Sequence, residues 1–315
     1  MQQNRPQEAL AVLSHLRRLP PEHPLVISEY REIKVMVRFD EQTARSVSPD
    51  ASNFKQHLLQ YKSIFVRIGL FKRLSISCIL QFFQQFTGIN AVIYYAPTIF
   101  SSLGLDGTTT SLLATGVVGI LNVVCTIPAI LYLDVLGRRK TLILGALGMC
   151  MSHIIIAAIT GVYSDSFAAH KSAGWAGVAF VYIFIANFAY SWGPVGWVLP
   201  SEIMPLSIRS KAMSISTSAN WMMNFVVGRA TPSMIRDIRF GTYVFFAVFC
   251  LLAAGWVYFF VPETKGKTLE EMDVVFKDEC SRADKRRLDV VKGEVDAEEE
   301  GRAGDMEGVS GKTEV

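Results

Sequence analysis

The sequence predicts an all-α membrane protein with six transmembrane helices. Hydrophobic residues make up 50% of the 315 residues, and they are gathered into long uncharged stretches. Between Ser75 and Tyr132, for example, the only charged residue is Asp106. These stretches are apolar on every side, whereas a soluble helix keeps one polar face. They also lack the two-residue alternation of barrel strands, so helices that satisfy their own backbone in hydrocarbon are expected.

Each uncharged stretch has about the ~20 residues that are needed to cross the hydrocarbon core. The six predicted spans cover residues 74–100, 111–133, 141–162, 174–203, 211–235 and 241–261. Together they form one predicted six-helix transmembrane bundle, residues 74–262.

The segments on either side of the bundle are polar. Residues 1–73 predict a cytoplasmic linker of short helices, the first of which begins after Pro6. Residues 263–315 predict a cytoplasmic tail, in which Thr268 and Glu271 have the spacing of a capping box. Beyond about residue 280 the charged sequence has no apolar periodicity, so the rest of the tail is expected to be disordered.

The basic residues predict the orientation. An even number of spans leaves both termini on one side, where most of the Lys and Arg near the spans lie: Lys72, Arg73, Arg138, Arg139, Lys140, Arg209 and Lys211. The positive-inside rule therefore places both termini in the cytoplasm. The orientation of the spans accounts for these basic residues, so no nucleic-acid partner is expected. The expected environment is the lipid bilayer, most simply the plasma membrane.

Polar residues inside the spans are costly unless they have partners, so their positions are informative. Gln81, Gln84 and Gln85 form one stripe in the first span, followed by Asn90. The same span contains two helix breakers, Gly88 and Pro97. An isolated amide is typical of helix–helix contacts, but this cluster on an interrupted helix favours a water-lined cavity.

The fourth and fifth spans continue this pattern. Residues 191–197 read Ser-Trp-Gly-Pro-Val-Gly-Trp, a segment that cannot form one straight helix. In the fifth span Ser216, Asn220 and Asn224 follow each other at intervals of four residues. Amides and aromatic rings without an intramembrane carboxylate suit a small, neutral, hydroxylated solute. No metal, cofactor or catalytic residue is expected, and His153 is interpreted as a packed or hydrogen-bonded residue.

Four motifs resemble those of the sugar porter branch of the major facilitator superfamily, of the fungal hexose and quinate type. They are Gln84-Gln-Phe-Thr-Gly-Ile-Asn90, Asp134-Val-Leu-Gly-Arg-Arg139, Trp192-Gly-Pro-Val-Gly-Trp197 with Glu202, and Pro262-Glu-Thr-Lys-Gly266. Their order and spacing are similar to the family's C-terminal half. The resemblance implies half of a twelve-helix fold, with residues 1–73 similar to the family's central linker.

The resemblance also implies roles for individual residues. The expected substrate-binding residues are Gln84, Gln85, Asn90, Asn122, Trp197 and Asn220. Tyr94 and Tyr95 match an outer gate. A cytoplasmic charge latch that breaks when the inner side opens would contain Asp134, Arg138, Arg139, Glu202, Arg209 and Glu263.

The expected function is transport of a monosaccharide, or of a related polyol or cyclic acid, by alternating access. The first six spans of the family lie outside this sequence, so transport is expected to require an N-terminal half or a second chain. Two alternatives stay open: a membrane nutrient sensor, which would signal without uptake, and a non-functional truncated transporter fragment. An enzyme is not expected, since the spans contain no catalytic constellation.

Overall fold

A computed structural model of the protein describes residues 5–47, 53–103, 108–163, 166–167 and 169–310. Within these ranges the chain forms α-helices, one short 3-10 helix at Leu206–Ile208, and no strand. The helices are α1 (Pro6–Arg17), α2 (Pro24–Val47), α3 (Asn53–Val66), α4 (Ile68–Phe86), α5 (Ile89–Ser102), α6 (Thr108–Leu136), α7 (Arg138–Tyr163), α8 (Lys171–Tyr190), α9 (Trp192–Ile203), α10 (Arg209–Asp237), α11 (Gly241–Phe260), α12 (Leu269–Phe276) and α13 (Cys280–Ser310).

The chain divides into two compact units. One contains residues 68–204 and 209–276, and thus all the predicted spans. The other contains residues 1–67, 205–208 and 277–315. The membrane unit thus begins a few residues before the boundary expected at 73, and it extends past the one expected at 263 to include α12.

Among the described residues of the membrane unit, five segments are long and apolar enough to cross a bilayer. They are Ile68–Ser101, Thr115–Leu136, Arg138–Tyr163, Lys171–Ile203 and Gly241–Phe260. They correspond to five of the six predicted spans. The sixth, α10, has 29 residues but is too polar to meet the same criterion. It packs against α4 and α5, and its polar residues Ser216 and Asn220 are buried.

Two of the spans are broken where the sequence predicts interruption. The first consists of α4 and α5, joined at Gly88, whose φ of +89° is in the left-handed region that favours glycine. A second kink occurs at Tyr95, two residues before Pro97. The fourth span consists of α8 and α9, which meet at Ser191. Each break frees backbone groups at mid-span, where protein partners must satisfy them.

The tail begins as expected. Thr268 and Glu271 form the predicted capping box: the Thr268 N–H donates to Glu271 Oε2 (2.9 Å), and the Glu271 N–H donates to Thr268 Oγ1 (3.3 Å). The helix that follows, α12, ends at Phe276 as predicted. The capping box therefore sets where this helix starts.

The expectation of disorder after about residue 280 is wrong for the described part of the tail. Residues 280–310 form α13, which packs against α2, with Val291 and Val295 buried on Val35. These two valines lie one helical turn apart, so a narrow apolar stripe is present in a charged sequence. Charged pairs with α2 flank that stripe, and residues 311–315 lie outside the described residues.

Candidate functional site

The glutamine stripe of α4 faces other helices of the membrane unit. Gln81, Gln84 and Gln85 are 0%, 3% and 4% exposed. Gln81 Nε2 donates to the Gly196 carbonyl of α9 (2.8 Å), and Gln84 Nε2 donates to the Trp192 carbonyl (2.7 Å). Two glutamines therefore satisfy backbone carbonyls of the irregular Gly/Pro segment, which removes the cost of freeing those groups inside the membrane.

Asn220 of α10 is the centre of this network. Its Nδ2 donates to Gln81 Oε1 (2.6 Å) and to Gln84 Oε1 (2.7 Å), while its Oδ1 accepts from Gln85 Nε2 (3.0 Å). An amide nitrogen carries two protons, so both are used. Asn220 thus joins three glutamines of α4 to α10.

A second layer of polar residues is partly or largely exposed. Asn90 Nδ2 donates to Gln85 Oε1, and Asn224 Nδ2 donates to the same oxygen (3.4 Å). Tyr94 OH donates to Asn224 Oδ1 (3.3 Å), and Tyr95 OH donates to the Gly228 carbonyl (2.8 Å). The predicted gate residues therefore join α5 to α10, next to the amides.

His153 of α7 lies beside the break in the first span. It is 1% exposed, and its Nε2 lies 2.9 Å from the Thr87 carbonyl, directly before Gly88. This contact assigns the proton to Nε2, because a carbonyl can only accept. His153 is thus a packed, hydrogen-bonded residue, as the sequence predicts, and it holds the carbonyl at the break.

The structure brings together four of the six expected substrate-binding residues: Gln84, Gln85, Asn90 and Asn220. Asn122 is half-buried on α6, and its carbonyl accepts from its own helix at Thr126. Trp197 is 43% exposed on α9, next to Gly196. Neither side chain is linked to the network by a hydrogen bond among the described contacts.

Sequence reasoning left two members of the network out of the predicted site. Gln81 and Asn224 belong to the stripes it noted, at helical spacing from Gln85 and Asn220, and this spacing was the available signal. A third residue, Trp192, has a structural role: it is fully buried, and its Nε1 donates to the Leu142 carbonyl of α7 (2.9 Å).

At the end of the bundle where α6 ends and α7 begins, Arg138 joins two carboxylates. Its Nη2 lies 2.6 Å from both Asp134 Oδ1 and Glu202 Oε1. Glu202 also accepts from Thr264 Oγ1 (2.6 Å). The Asp134 side chain is 82% exposed, while that of Glu202 is 27% exposed, so the Glu202 pair is less screened by water.

Glu263 acts through the backbone. Its Oε1 accepts from the N–H groups of Arg138 (2.9 Å), Thr264 (3.1 Å) and Lys265 (3.1 Å), and its Oε2 accepts from the Arg139 N–H (3.2 Å). A carboxylate at the N-terminus of α7 also opposes the positive end of the helix dipole. Gly137 (φ +86°) allows this approach, since a β-carbon there would lie 2.7 Å from Glu263 Oε2.

Two predicted latch residues contribute differently from expectation. The Arg139 side chain turns away from the cluster: its Nη2 donates to the Tyr258 carbonyl, and its guanidinium lies 5.2 Å from the Tyr258 ring centroid. Arg209 lines the same cavity as Asp134, Arg138 and Glu202, of about 540 Å³, and its Nη2 donates to the Met204 carbonyl (3.3 Å).

A buried ion pair near this cluster was missed from the sequence. Arg73 and Asp273 are fully buried, with Nη2 and Oδ1 2.8 Å apart. The Arg73 guanidinium also lies 4.7 Å from the Phe276 ring centroid. Because the two residues are 200 positions apart, no local pattern could connect them. The pair fixes α12 to the beginning of α4.

The fold and this site define a multi-pass helical membrane protein whose broken spans are held together by buried amides. The chain belongs to the family of sugar (and other) transporters, which matches residues 1–276.

Named relatives agree with this membership. A probable quinate permease of Aspergillus niger is 36% identical over 280 residues, which cover 87% of this chain and 50% of that protein. Sugar transport protein 4 of Arabidopsis thaliana is 40% identical over 208 residues, covering 65% of this chain and 40% of that protein. The chain spans about half the length of the curated relatives it matches.

Solved structures confirm the predicted fold class. The proton:xylose symporter XylE bound to 6-bromo-6-deoxy-D-glucose superposes with a TM-score of 0.59 at 32% identity, over 88% of this chain and 53% of that one. The inward open conformation of XylE from E. coli gives a TM-score of 0.56 at 33% identity, over 73% of this chain and 48% of that one. The chain thus has the fold of half a major facilitator protein.

Proposed function

We propose that this chain forms half of an alternating-access transporter for a small, neutral, polyhydroxylated solute such as a monosaccharide or polyol. The observation that carries the proposal is the convergence of Gln84, Gln85, Asn90 and Asn220 at the break of the first span. Midplane sites on interrupted helices are typical of secondary transporters. The relatives named above are described as transport proteins, a permease and a symporter, which supports transport rather than catalysis.

Within the proposed site, the buried and exposed amides have separate tasks. Gln81, Gln84 and Asn220 are committed to each other and to α9 carbonyls, so they position the site. Asn90 and Asn224 are partly exposed, and the Trp197 ring is exposed. We assign solute contact to this second group, since an exposed amide offers a hydrogen bond without first breaking a buried one.

The side chains of the network also bear on substrate charge. Gln81, Gln84, Gln85, Asn90, Asn220 and Asn224 are all uncharged amides. Relatives include both sugar transport proteins and quinate permeases, and quinate is an anion at neutral pH. A carboxylate transferred into a site of neutral amides has no countercharge, so the described residues favour a neutral solute.

Equilibrium binding and uptake together test the proposal. The first measurement is binding of labelled glucose, xylose, inositol and quinate to the purified chain. We expect weak binding of neutral solutes, of the order of millimolar, which corresponds to about −4 kcal/mol. The second is uptake in cells that lack their own sugar carriers, with the chain alone and with the N-terminal half of a relative. Nutrient-dependent signalling without uptake would support the sensor alternative instead.

A pair of variants links the result to the site. Asn90→Ala is expected to weaken solute binding by about 5–10-fold, the loss of one hydrogen bond of roughly 1 kcal/mol. Ser218→Ala, on the exposed side of α10, is the matched control and should leave binding unchanged. Equal affinity in wild type and Asn90→Ala would remove Asn90 from the solute site.

We further propose that both termini face the cytoplasm, with the protein in the plasma membrane. The support for this orientation is the concentration of basic residues at one end of the spans, including Arg138, Arg139 and Lys140. Protease accessibility of a C-terminal tag in intact and permeabilised cells tests this orientation. Cleavage of the tag in intact cells would contradict it.

A further inference from the structure

The proposed solute transport gives no role to the side chain of Arg139. Arg139 is the second arginine of the Gly-Arg-Arg motif, yet its side chain leaves the charge cluster of Arg138 and lies against Tyr258 of α11. There it lines a groove of about 720 Å³ between the beginning of α4 and the end of α11. Lys72 lines the same groove from α4 and is exposed.

The groove has two chemically different parts. Its cationic part contains Lys72 and Arg139, with the Ser75 hydroxyl nearby, and no carboxylate is among the described residues that line it. The closest carboxylate along the chain, Glu263, faces four backbone N–H groups and is not among the lining residues. The wall of the groove therefore combines two positive charges with no carboxylate among its described residues.

The remaining walls are apolar and open. Phe259 and Phe260 are 76% and 64% exposed, Ile79 is 38% exposed, and Trp256 is half-buried beside them. Aromatic residues at the end of a span are typical of the level where lipid headgroups meet acyl chains. Arg139 keeps a fixed direction, because its guanidinium is bonded to the Tyr258 carbonyl and lies over the Tyr258 ring.

We propose that this groove is a binding site for an anionic diacyl phospholipid of the surrounding membrane. The phosphate and the negative headgroup would lie between Lys72 and Arg139, and one acyl chain would follow the α4–α11 groove past Ile79 and Trp256. Charge complementarity selects this occupant: the apolar walls fit any lipid, while two cations in a wall that has no carboxylate among its described residues favour one with a net negative headgroup.

Quenching of Trp256 fluorescence measures this binding. The purified chain in micelles is titrated with phosphatidylglycerol or phosphatidylcholine carrying brominated acyl chains, and the same titration in Trp256→Phe gives the signal of the other tryptophans. We expect the Trp256 component to show at least a fivefold preference for phosphatidylglycerol, from about 1 kcal/mol per cation near a membrane surface. Equal quenching by the two lipids would overturn the proposal.

Charge variants distinguish the groove from the general positive surface. Lys72→Gln with Arg139→Gln should abolish the preference, whereas Lys72→Arg should keep it. Lys140→Gln with Lys211→Gln removes the same charge outside the groove and should also keep it. Loss in this control as well as in the groove variant would show a diffuse surface effect and overturn the site. Circular dichroism of each variant checks its fold.

Inorganic phosphate separates a lipid site from a simple anion site. At millimolar concentration it should leave the brominated phosphatidylglycerol bound, since it cannot occupy the apolar part of the groove. Displacement at that concentration would mean that the site selects a phosphate rather than a lipid. None of these measurements uses solute transport, so the outcome is independent of the proposed function.

Discussion

A single asparagine explains why the polar residues of this bundle are stable in the membrane. Asn220 uses both its protons and its oxygen on three glutamines of α4. Two of those glutamines then satisfy carbonyls of α9, so the network accounts for its own polar atoms and for part of the irregular backbone. Buried polar networks contribute to stability only when their members are satisfied. The buried part of the network therefore stabilises the bundle, and solute contact is left to its exposed members.

This division predicts different consequences for two asparagines of α10. Asn220→Ala leaves Gln81, Gln84 and Gln85 each short of one partner, and we expect it to lower the free energy of unfolding by about 1–3 kcal/mol. Asn224→Ala removes two long bonds at a half-buried position, one to Gln85 Oε1 (3.4 Å) and one from Tyr94 OH (3.3 Å), so its cost should stay below about 1 kcal/mol. Denaturant titration in mixed micelles measures both, and equal losses would contradict the role of Asn220 as the centre.

A second prediction concerns the break in the first span. His153→Phe keeps a ring beside Phe184, whose centroid lies 4.5 Å away, but removes the imidazole donor to the Thr87 carbonyl and leaves the weak Cys250 Sγ donor at 3.9 Å. We expect a loss of about 1–2 kcal/mol in unfolding free energy. Faster amide exchange should be confined to residues near Gly88.

The matched control for this variant is Ser152→Ala. The Ser152 hydroxyl donates to the Gly148 carbonyl of its own helix, so its removal should leave both the break and the exchange rates there unchanged. If Ser152→Ala and His153→Phe accelerated exchange near Gly88 alike, the effect would belong to α7 as a whole and not to the bond with Thr87.

Among the elements, the beginning of α7 combines charge and backbone contacts in one place. Glu263 caps the helix through the N–H groups of Arg138 and Arg139, and the Arg138 side chain reaches Asp134 of α6 and Glu202 of α9. Three helices and the segment that follows α11 thus meet at one arginine. We interpret this cluster as the cytoplasmic latch of the proposed transport cycle, with Arg138 as its central cation and Arg139 contributing only its backbone.

The burial of the two carboxylates predicts which of them interacts more strongly with Arg138. Double-mutant cycles for Arg138→Ala with Glu202→Gln and with Asp134→Asn compare the two. We expect about 1–2 kcal/mol for the Glu202 pair, which is partly buried, and below about 0.5 kcal/mol for the Asp134 pair, whose carboxylate is 82% exposed. A larger coupling energy for the Asp134 pair than for the Glu202 pair would contradict this prediction.

The elements also show which features local sequence could predict. Uncharged length predicted the spans, and Gly88 and the Gly/Pro segment near Trp197 predicted the breaks, because the causes lie within a few residues. The Arg73–Asp273 pair and the departure of the Arg139 side chain depend on contacts far apart in sequence. The disorder expected for the tail was wrong because Val291 and Val295 pack on Val35 of α2, and charged pairs with α2 add to this contact.

At the scale of the whole molecule, the chain contains two units of different physical character. The membrane unit is stabilised by packing and by buried amides. In the other unit, α2 and α13 share a small apolar contact and a set of partly or largely exposed charge pairs, including those of Lys34 and Arg38 with Glu298. Surface ion pairs are weak and are screened by salt, so this unit should respond to solution conditions more strongly than the membrane unit.

The effect of pH on the pairing of α2 with α13 can be predicted from Glu298. Hydrogen bonds from Arg38 and Lys34 lower the pKa of the Glu298 carboxyl from 4.5 to about 2. A carboxyl whose pKa is depressed in the folded state stabilises that state above its unfolded pKa, and this contribution is lost as the pH falls. The pairing of α13 with α2 should therefore be constant above about pH 5 and weaken between pH 4.5 and pH 2.

Spin labels at the exposed positions Glu32 and Lys292, in a background without native cysteines, would report the weakened pairing as a broadened distance distribution. Glu298→Gln should already show the broader distribution at pH 7 and change less on acidification than the wild type does, since the Arg31–Asp296 pair is still present. A wild-type distance that stays sharp down to pH 2 would mean that Val291 and Val295 hold the helix without the charges.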